Sequence, residues 1–173
     1  VGESGLLTRL MIPLVAAIGK GIVTIEGRGT LLNRPLKGAS DIMSQFGTVL
    51  RPLGEDARAG VVKVPLSVQG PLLPGKVDIS GKDGSQLISG LLMALPLLPV
   101  DSVIHVHDPK SIPYMFITLD VLRKFGIRIG SEMEGGEDFM ETQDWALCTG
   151  ITFKIKGGQK YSAASFDIEG DWS

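Results

Sequence analysis

The chain has one cysteine, Cys148, among its 173 residues. An internal disulfide is excluded, and nothing in the cysteine usage calls for an oxidising compartment. No apolar run approaches the roughly 20 residues that a bilayer-spanning helix needs, so no membrane partner is expected. The two histidines, His105 and His107, have no third ligand candidate near them in sequence. A polar strand face explains them better than a metal site. An excess of charge of either sign is also lacking, with a formal net charge of -2. That argues against a nucleic-acid surface but leaves room for a local basic pocket. Val1 opens onto Gly2-Glu3-Ser4-Gly5 rather than a basic segment and an apolar core, so no signal peptide is expected and a cytoplasmic protein is. With no initiator Met, the sequence reads as a piece of something longer.

What is present is an apolar composition of 43%, enough to build a real core. The chain is organised around Ser80 to Leu98. A polar, Gly-rich loop (Ser80, Gly81, Lys82, Asp83, Gly84, Ser85, Gln86) runs into a helix too apolar all round for a surface position. Free N–H groups at a helix start suit an anion. Taken alone, such a loop more commonly means that Asp83 or Ser85 caps the helix.

In chain order, Leu6 to Ala17 reads as a helix and Ile22 to Glu26 as a strand. Leu36 to Phe46 reads as a helix opened by Pro35. Thr48 to Leu53, Val61 to Val68 and Lys76 to Ile79 read as strands, with a charged loop at Gly54 to Gly60. After the helix ending near Leu98 come a strand (Asp101 to Val106) and a helix (Tyr114 to Phe125). A strand begins at Ile127 to Ile129. An acidic loop (Glu132 to Asp138), a strand within Asp144 to Lys156 and a short strand at Ser165 to Ile168 follow.

The pattern repeats. Phe46-Gly47 recurs as Phe125-Gly126 and Pro35 as Pro113. Val77-Asp78-Ile79-Ser80-Gly81 recurs as Phe166-Asp167-Ile168-Glu169-Gly170. Two units are expected, about 1–81 and about 82–173, each reading helix, strand, helix, strand, strand, strand. One unit leaves apolar faces uncovered, so the units must pack together in an α/β fold, as parts of one domain. Gly170 to Ser173 stand where a further unit would begin.

Gly70 to Val77 nearly spells a phosphate-binding P-loop. Val77 replaces the magnesium-ligating hydroxyl, Pro71 and Pro74 remove N–H donors, and a strand follows rather than a helix. A hairpin turn is the better reading. Polar residues instead recur at equivalent places in the two units: Arg9 and then Ser85 with Gln86 at the leading helices, Arg34 and then Ser111 with Tyr114 at the Pro-led helices. A repeat that packs regularly would bring these to one end of the assembly. Arg forks suit carboxylate and phosphate; Ser and Gln suit hydroxyls and phosphate oxygens.

At these residues the sequence resembles the enolpyruvyl transferase family. The resemblance rests on Gly2 to Leu10, Asn33-Arg34-Pro35-Leu36, Gly84-Ser85-Gln86 with Leu91 to Ala94, Lys110 to Leu119, and Gly170 to Ser173, all in family order. It implies an inverse α/β barrel of which about two of six βαβαββ units are present, in one domain of a two-domain enzyme. It also implies transfer of the enolpyruvyl group of phosphoenolpyruvate to the 5-hydroxyl of shikimate 3-phosphate, with release of phosphate and no cofactor or metal. By the resemblance Gly5, Arg34 and Gln86 meet phosphoenolpyruvate. Ser85, Gln86 and Ser111 hold shikimate 3-phosphate, and Tyr114 packs beside its ring. Arg9 supports the first loop, and at Gly84, where the family has Ser, a backbone N–H takes over one phosphate contact. Glu3, where the family has Asn, needs a cationic partner, with Arg9 the nearest in sequence. The family's Lys, Asp and Glu acid–base residues have no counterpart here, so the missing remainder of the enzyme is the expected partner and 1–173 is expected to show no turnover alone. Two alternatives stand beside this one: the branch of the family acting on UDP-N-acetylglucosamine, which uses a reactive loop cysteine, and a repeat-built binding module without chemistry.

Overall fold

The computed structural model describes residues 1–54, 61–168 and 170. The charged stretch at 55–60, Glu169 and Asp171 to Ser173 lie outside the described residues. Helix α1 (Gly5–Ile18) leads to β1 (Ile22–Ile25), a 3-10 turn (Gly29–Asn33), α2 (Ala39–Gln45), β2 (Val49–Pro52), β3 (Leu66–Gln69) and β4 (Lys76–Ser80). Then come α3 (Gln86–Ala94), β5 (Ser102–His107), α4 (Ile112–Lys124), β6 (Ile129–Gly135), α5 (Glu137–Thr142) and β7 (Cys148–Ile155).

Two sheets form, ordered β1-β3-β2 and β4-β5-β7-β6. The middle strands, β3 and β7, pair antiparallel with both neighbours, and β4 adds to the second sheet parallel to β5. The second half of the chain thus orders β5-β7-β6 as the first orders β1-β3-β2. Helices α1, α3 and α4 form an inner layer with α3 in the middle. Alternation in β5 shows how a sheet covers that layer. Ser102, Ile104 and Val106 are buried, while Val103, His105 and His107 face outward. Ile12, Ile88, Leu91, Leu92, Ile104 and Phe153 are fully buried in one continuous core spanning helices and sheet.

Gly90 sets the spacing of the inner layer. A Cβ there would lie 2.9 Å from the Leu10 carbonyl oxygen and 3.0 Å from that of Arg9. The backbones of α1 and α3 can approach this closely only because residue 90 has no side chain.

Five expectations need correction. The turn at Gly70 to Val77, expected to be a hairpin, instead carries the chain from β3 in the first sheet to β4 in the second. The helix expected over Leu36 to Phe46 begins at Ala39, because Gly38 adopts φ +69° and breaks the run ahead of it. The strand expected from Val61 begins at Leu66. Pro65 just before it has no N–H for a ladder, and its carbonyl accepts from Leu53 instead. The expected acidic loop is β6 followed by α5. Glu132 and Glu134 point outward from β6, where Lys154 pairs with Glu132 and Thr152 donates to Glu134. Glu137 and Asp138 fill the first turn of α5, where negative charge meets the positive end of the helix dipole. The short strand expected at Ser165 to Ile168 does not form. Its counterpart β4 is held by β5, whereas 165–168 has no strand beside it among the described residues.

The outer face of the second sheet carries a charge array. Asp78 on β4 lies 2.6 Å from Nδ1 of both His105 and His107 on β5. Nε2 of His105 is 3.5 Å from Glu134. The histidines therefore pin β4 to β5, and no cluster of three metal ligands occurs among the described residues. The hydrogen bond to Asp78, more than any other influence, raises the His105 pKa. A raised folded-state value means the stabilisation is complete below about pH 6.5 and is lost as pH rises through the folded pKa. Thermal melts should give a higher Tm at pH 6 than at pH 8.5, a difference that shrinks in Asp78→Asn. A third of the His105 side chain is exposed, so solvent keeps the effect small.

Candidate functional site

The starts of α1, α3 and α4 meet around a cavity of about 750 Å³. Gly5 and Arg9 line it from α1, Gly84, Ser85 and Gln86 from the start of α3, Ser111 and Tyr114 from the start of α4, and Arg34 from the turn before α2. All eight residues singled out in the sequence are brought together. The remaining wall is largely apolar, with Leu6, Leu10, Met93, Ile117 and Val121.

The serines carry the main information. Each of the three helices has a Ser at its N-cap. Ser4 does what such a residue usually does: its hydroxyl accepts from the Leu7 N–H at 3.0 Å. Ser85 and Ser111 hold the same position on α3 and α4 yet make no capping bond. Among the described residues neither hydroxyl has a hydrogen-bond partner, although Ser85 is only 3% exposed. Ser111 also sits at φ +55°, in the left-handed region that non-glycine residues seldom occupy. The capping explanation of Ser85 therefore fails. The first N–H groups of α3 have no acceptor within the helix, which leaves donors at the cavity wall.

Two cations share the site. Arg9 donates to the Gly5 carbonyl at 3.1 Å and to the Pro35 carbonyl at 3.2 Å, so it ties the start of α1 to the segment bearing Arg34. Burial, and then the neighbouring charge of Arg34, lower the Arg9 pKa. Two guanidiniums that repel one another are relieved by an anion between them. Arg34 itself is exposed and its guanidinium makes no hydrogen bond among the described residues. Tyr114 is 63% exposed at the rim.

Two details differ from the sequence reading. Glu3 does not pair with Arg9; its carboxylate accepts from the Thr30 N–H and packs over Gly29. The Gly84 N–H is committed to the Gly81 carbonyl at 3.1 Å, so it is not the donor that replaces a serine hydroxyl. The sequence reading took Asp83 only as a possible cap and did not single out Ser89 or Thr118, and all three line the same cavity. Ser89 and Thr118 could have been found by spacing, since each lies four residues beyond a named site residue and so on the same helix face. Asp83 packs against Gly38, whose positive φ and missing side chain make room for it.

Cys148 is buried in β7, and desolvation raises its thiol pKa. That is an inert thiol in a strand rather than a reactive one in a loop.

Helices packed under repeated sheets, with their starts gathered at a basic cavity, make this chain part of an inverse α/β barrel. Over 93% of its length it superposes on EPSP synthase from Acinetobacter baumannii with a TM-score of 0.61, at 21% identity and covering 30% of that chain. The family model for EPSP synthase (3-phosphoshikimate 1-carboxyvinyltransferase) matches residues 1–173, and the chain belongs to that family. It is 32% identical to the 3-phosphoshikimate 1-carboxyvinyltransferase of Methanococcus maripaludis over its whole length, covering 37% of that protein. It is 36% identical to that of Clostridium kluyveri over 99% of its length, covering 35% of it. The chain thus spans little more than a third of these relatives. No helix among the described residues is long and apolar enough to cross a membrane.

Proposed function

We propose that this chain supplies the substrate-holding part of an enzyme that moves the enolpyruvyl group of phosphoenolpyruvate to the 5-hydroxyl of shikimate 3-phosphate in the cytoplasm. The chain would be two repeat units, about 1–81 and 82–173, of one domain in a two-domain protein. The relatives' name and the family membership support the reaction. The observation that carries the site is the pair of N-cap serines, Ser85 and Ser111, whose hydroxyls leave their own helices uncapped beside Arg34 in one cavity.

Ser85, Gln86 and Ser111 hold the phosphate ester and ring hydroxyls, and Tyr114 packs at the rim beside the ring. Arg34, Gln86 and the backbone at Gly5 receive the anionic groups of phosphoenolpyruvate. Arg9 and Gly84 shape the loops that present these groups. In the reaction the 5-hydroxyl gives its proton to a base as its oxygen bonds to the central carbon of phosphoenolpyruvate, while a proton is added to the methylene carbon and makes it a methyl. Phosphate then leaves the central carbon and a proton leaves the methyl carbon, which restores the double bond. Among the described residues the cavity wall holds no Lys, His or Glu, and Asp83 is its one carboxylate. Proton transfer therefore falls to residues of the remainder of the enzyme, and this chain binds without turning over. No cofactor or metal is called for. The buried Cys148 weighs against the branch that acts on UDP-N-acetylglucosamine.

Isothermal titration of the chain with shikimate 3-phosphate tests this. Binding heat is expected, and Ser111→Ala should weaken the affinity about five- to tenfold, the cost of one hydrogen bond to an ester oxygen. A binding module without chemistry would take up phosphate and shikimate 3-phosphate alike.

A further inference from the structure

Ser85 and Ser89 are four residues apart along α3 and its cap, and Tyr114 and Thr118 are four apart on α4. Residues so spaced stack on one helix face. Ser89 therefore lies one turn below Ser85, and Thr118 one turn below Tyr114. The two lower residues meet, with 2.9 Å between the Thr118 and Ser89 hydroxyl oxygens. The Thr118 oxygen is also 2.9 Å from the Tyr114 carbonyl. A carbonyl only accepts, and a threonine hydroxyl has one proton. Both distances are satisfied at once when Ser89 donates to Thr118 and Thr118 donates to the Tyr114 carbonyl. The relay thus runs from α3 to the backbone of the residue at the cavity rim.

It is the only side-chain hydrogen bond between α3 and α4 among the described residues. Ser89 is 3% exposed, so bulk water is a poor substitute for its partner. The next residue, Gly90, lies against the backbone of α1. Helix α3 is therefore fixed on one side by close approach to α1 and on the other by the Ser89–Thr118 bond, both within two turns of Ser85.

We infer that Ser89 and Thr118 are positioning residues that set the gap between the starts of α3 and α4, and so the distance across which Ser85 faces Ser111 and Tyr114. This rests on the reading that the cavity holds shikimate 3-phosphate. A ligand bridging two helix starts tolerates little change in their separation, because small displacements cost much of the binding a fixed geometry provides.

The test is titration of the chain with shikimate 3-phosphate, with a thermal melt for each variant. Thr118→Val keeps the shape and removes the hydroxyl; it should bind about five- to tenfold more weakly. Thr118→Ser restores the hydroxyl and should recover the affinity. Ser89→Ala should match Thr118→Val, and the double variant should be no worse than either single, since both break one link. Ser89→Ala is mild in a helix and decides the matter if Thr118→Val does not fold. Unchanged affinity in Ser89→Ala, whatever its melting temperature, overturns the positioning role, as does failure of Thr118→Ser to recover. A wild-type chain that takes up no shikimate 3-phosphate defeats the reading of the cavity itself, a result distinct from wild-type binding that the variants leave unmoved.

Discussion

Arg34→Ala should lower the affinity of the chain for phosphoenolpyruvate by about ten- to a hundredfold, the worth of a hydrogen bond to a charged group. Arg34 is the more available of the two cations at the cavity. Arg9 spends two of its donors on the Gly5 and Pro35 carbonyls. The guanidinium of Arg34 has no partner among the described residues, and it stands on a segment that Arg9 holds in place. Folding should survive the change, since the Arg34 side chain is exposed and packs no core. Isothermal titration with a parallel melt separates the two quantities, and Arg34→Lys should recover only part of the loss. A lysine keeps the charge but not the planar fork that suits carboxylate and phosphate. Raised salt should weaken wild-type binding more than it weakens Arg34→Ala.

Gly90→Val should do the larger damage to stability, by about 1–3 kcal/mol or more, read as a fall in denaturation midpoint. The first atom of any side chain at residue 90 would stand 2.9–3.1 Å from backbone atoms of Leu10 and Arg9. A backbone cannot step aside as a flexible side chain can, so α1 and α3 must separate. That separation carries Gly5 and Arg9 away from Ser85 and Gln86. The folded remainder of the variant should therefore bind shikimate 3-phosphate more weakly than wild type, though no atom of the substitution faces the cavity. Gly90→Ala should show the same two effects at smaller size.

These variants mark where the sequence could and could not be read. The apolar run through α3 was legible because helix period and composition agree, but Gly90 read only as one more residue of that run. Its contact with α1 is a property of two helices, and no single stretch encodes it. Strands β1, β4 and β5 were legible from β-branched alternation. Strand β6 was legible only at its start near Ile129, because Gly130, Ser131, Glu132 and Glu134 have little intrinsic strand preference. Pairing with β7 and with the cations beside it overrides that preference. Residues 165–168 have the alternation without a neighbouring strand among the described residues and stay irregular, the converse case. For the site, the repeat was enough to place Arg34, Ser85, Gln86, Ser111 and Tyr114 around one cavity, since equivalent helix starts take equivalent positions. Which of those serines would cap its helix was not legible. Ser4 and Ser85 look alike in sequence and differ in their own backbone, which is extended at Ser4 (ψ 110°) and helical at Ser85 (ψ -12°).

The claim beneath all of this is that uncapped helix starts and two arginines form a binding site for a phosphate ester. Amide chemical shifts followed during titration with shikimate 3-phosphate and phosphoenolpyruvate together test it most directly. The account predicts concerted, saturating shifts at Gly5, Arg34, Ser85, Gln86 and Ser111, with the outer sheet face at His105 and Lys154 unmoved. Shifts absent from those five residues, or concentrated on the outer face, would contradict it.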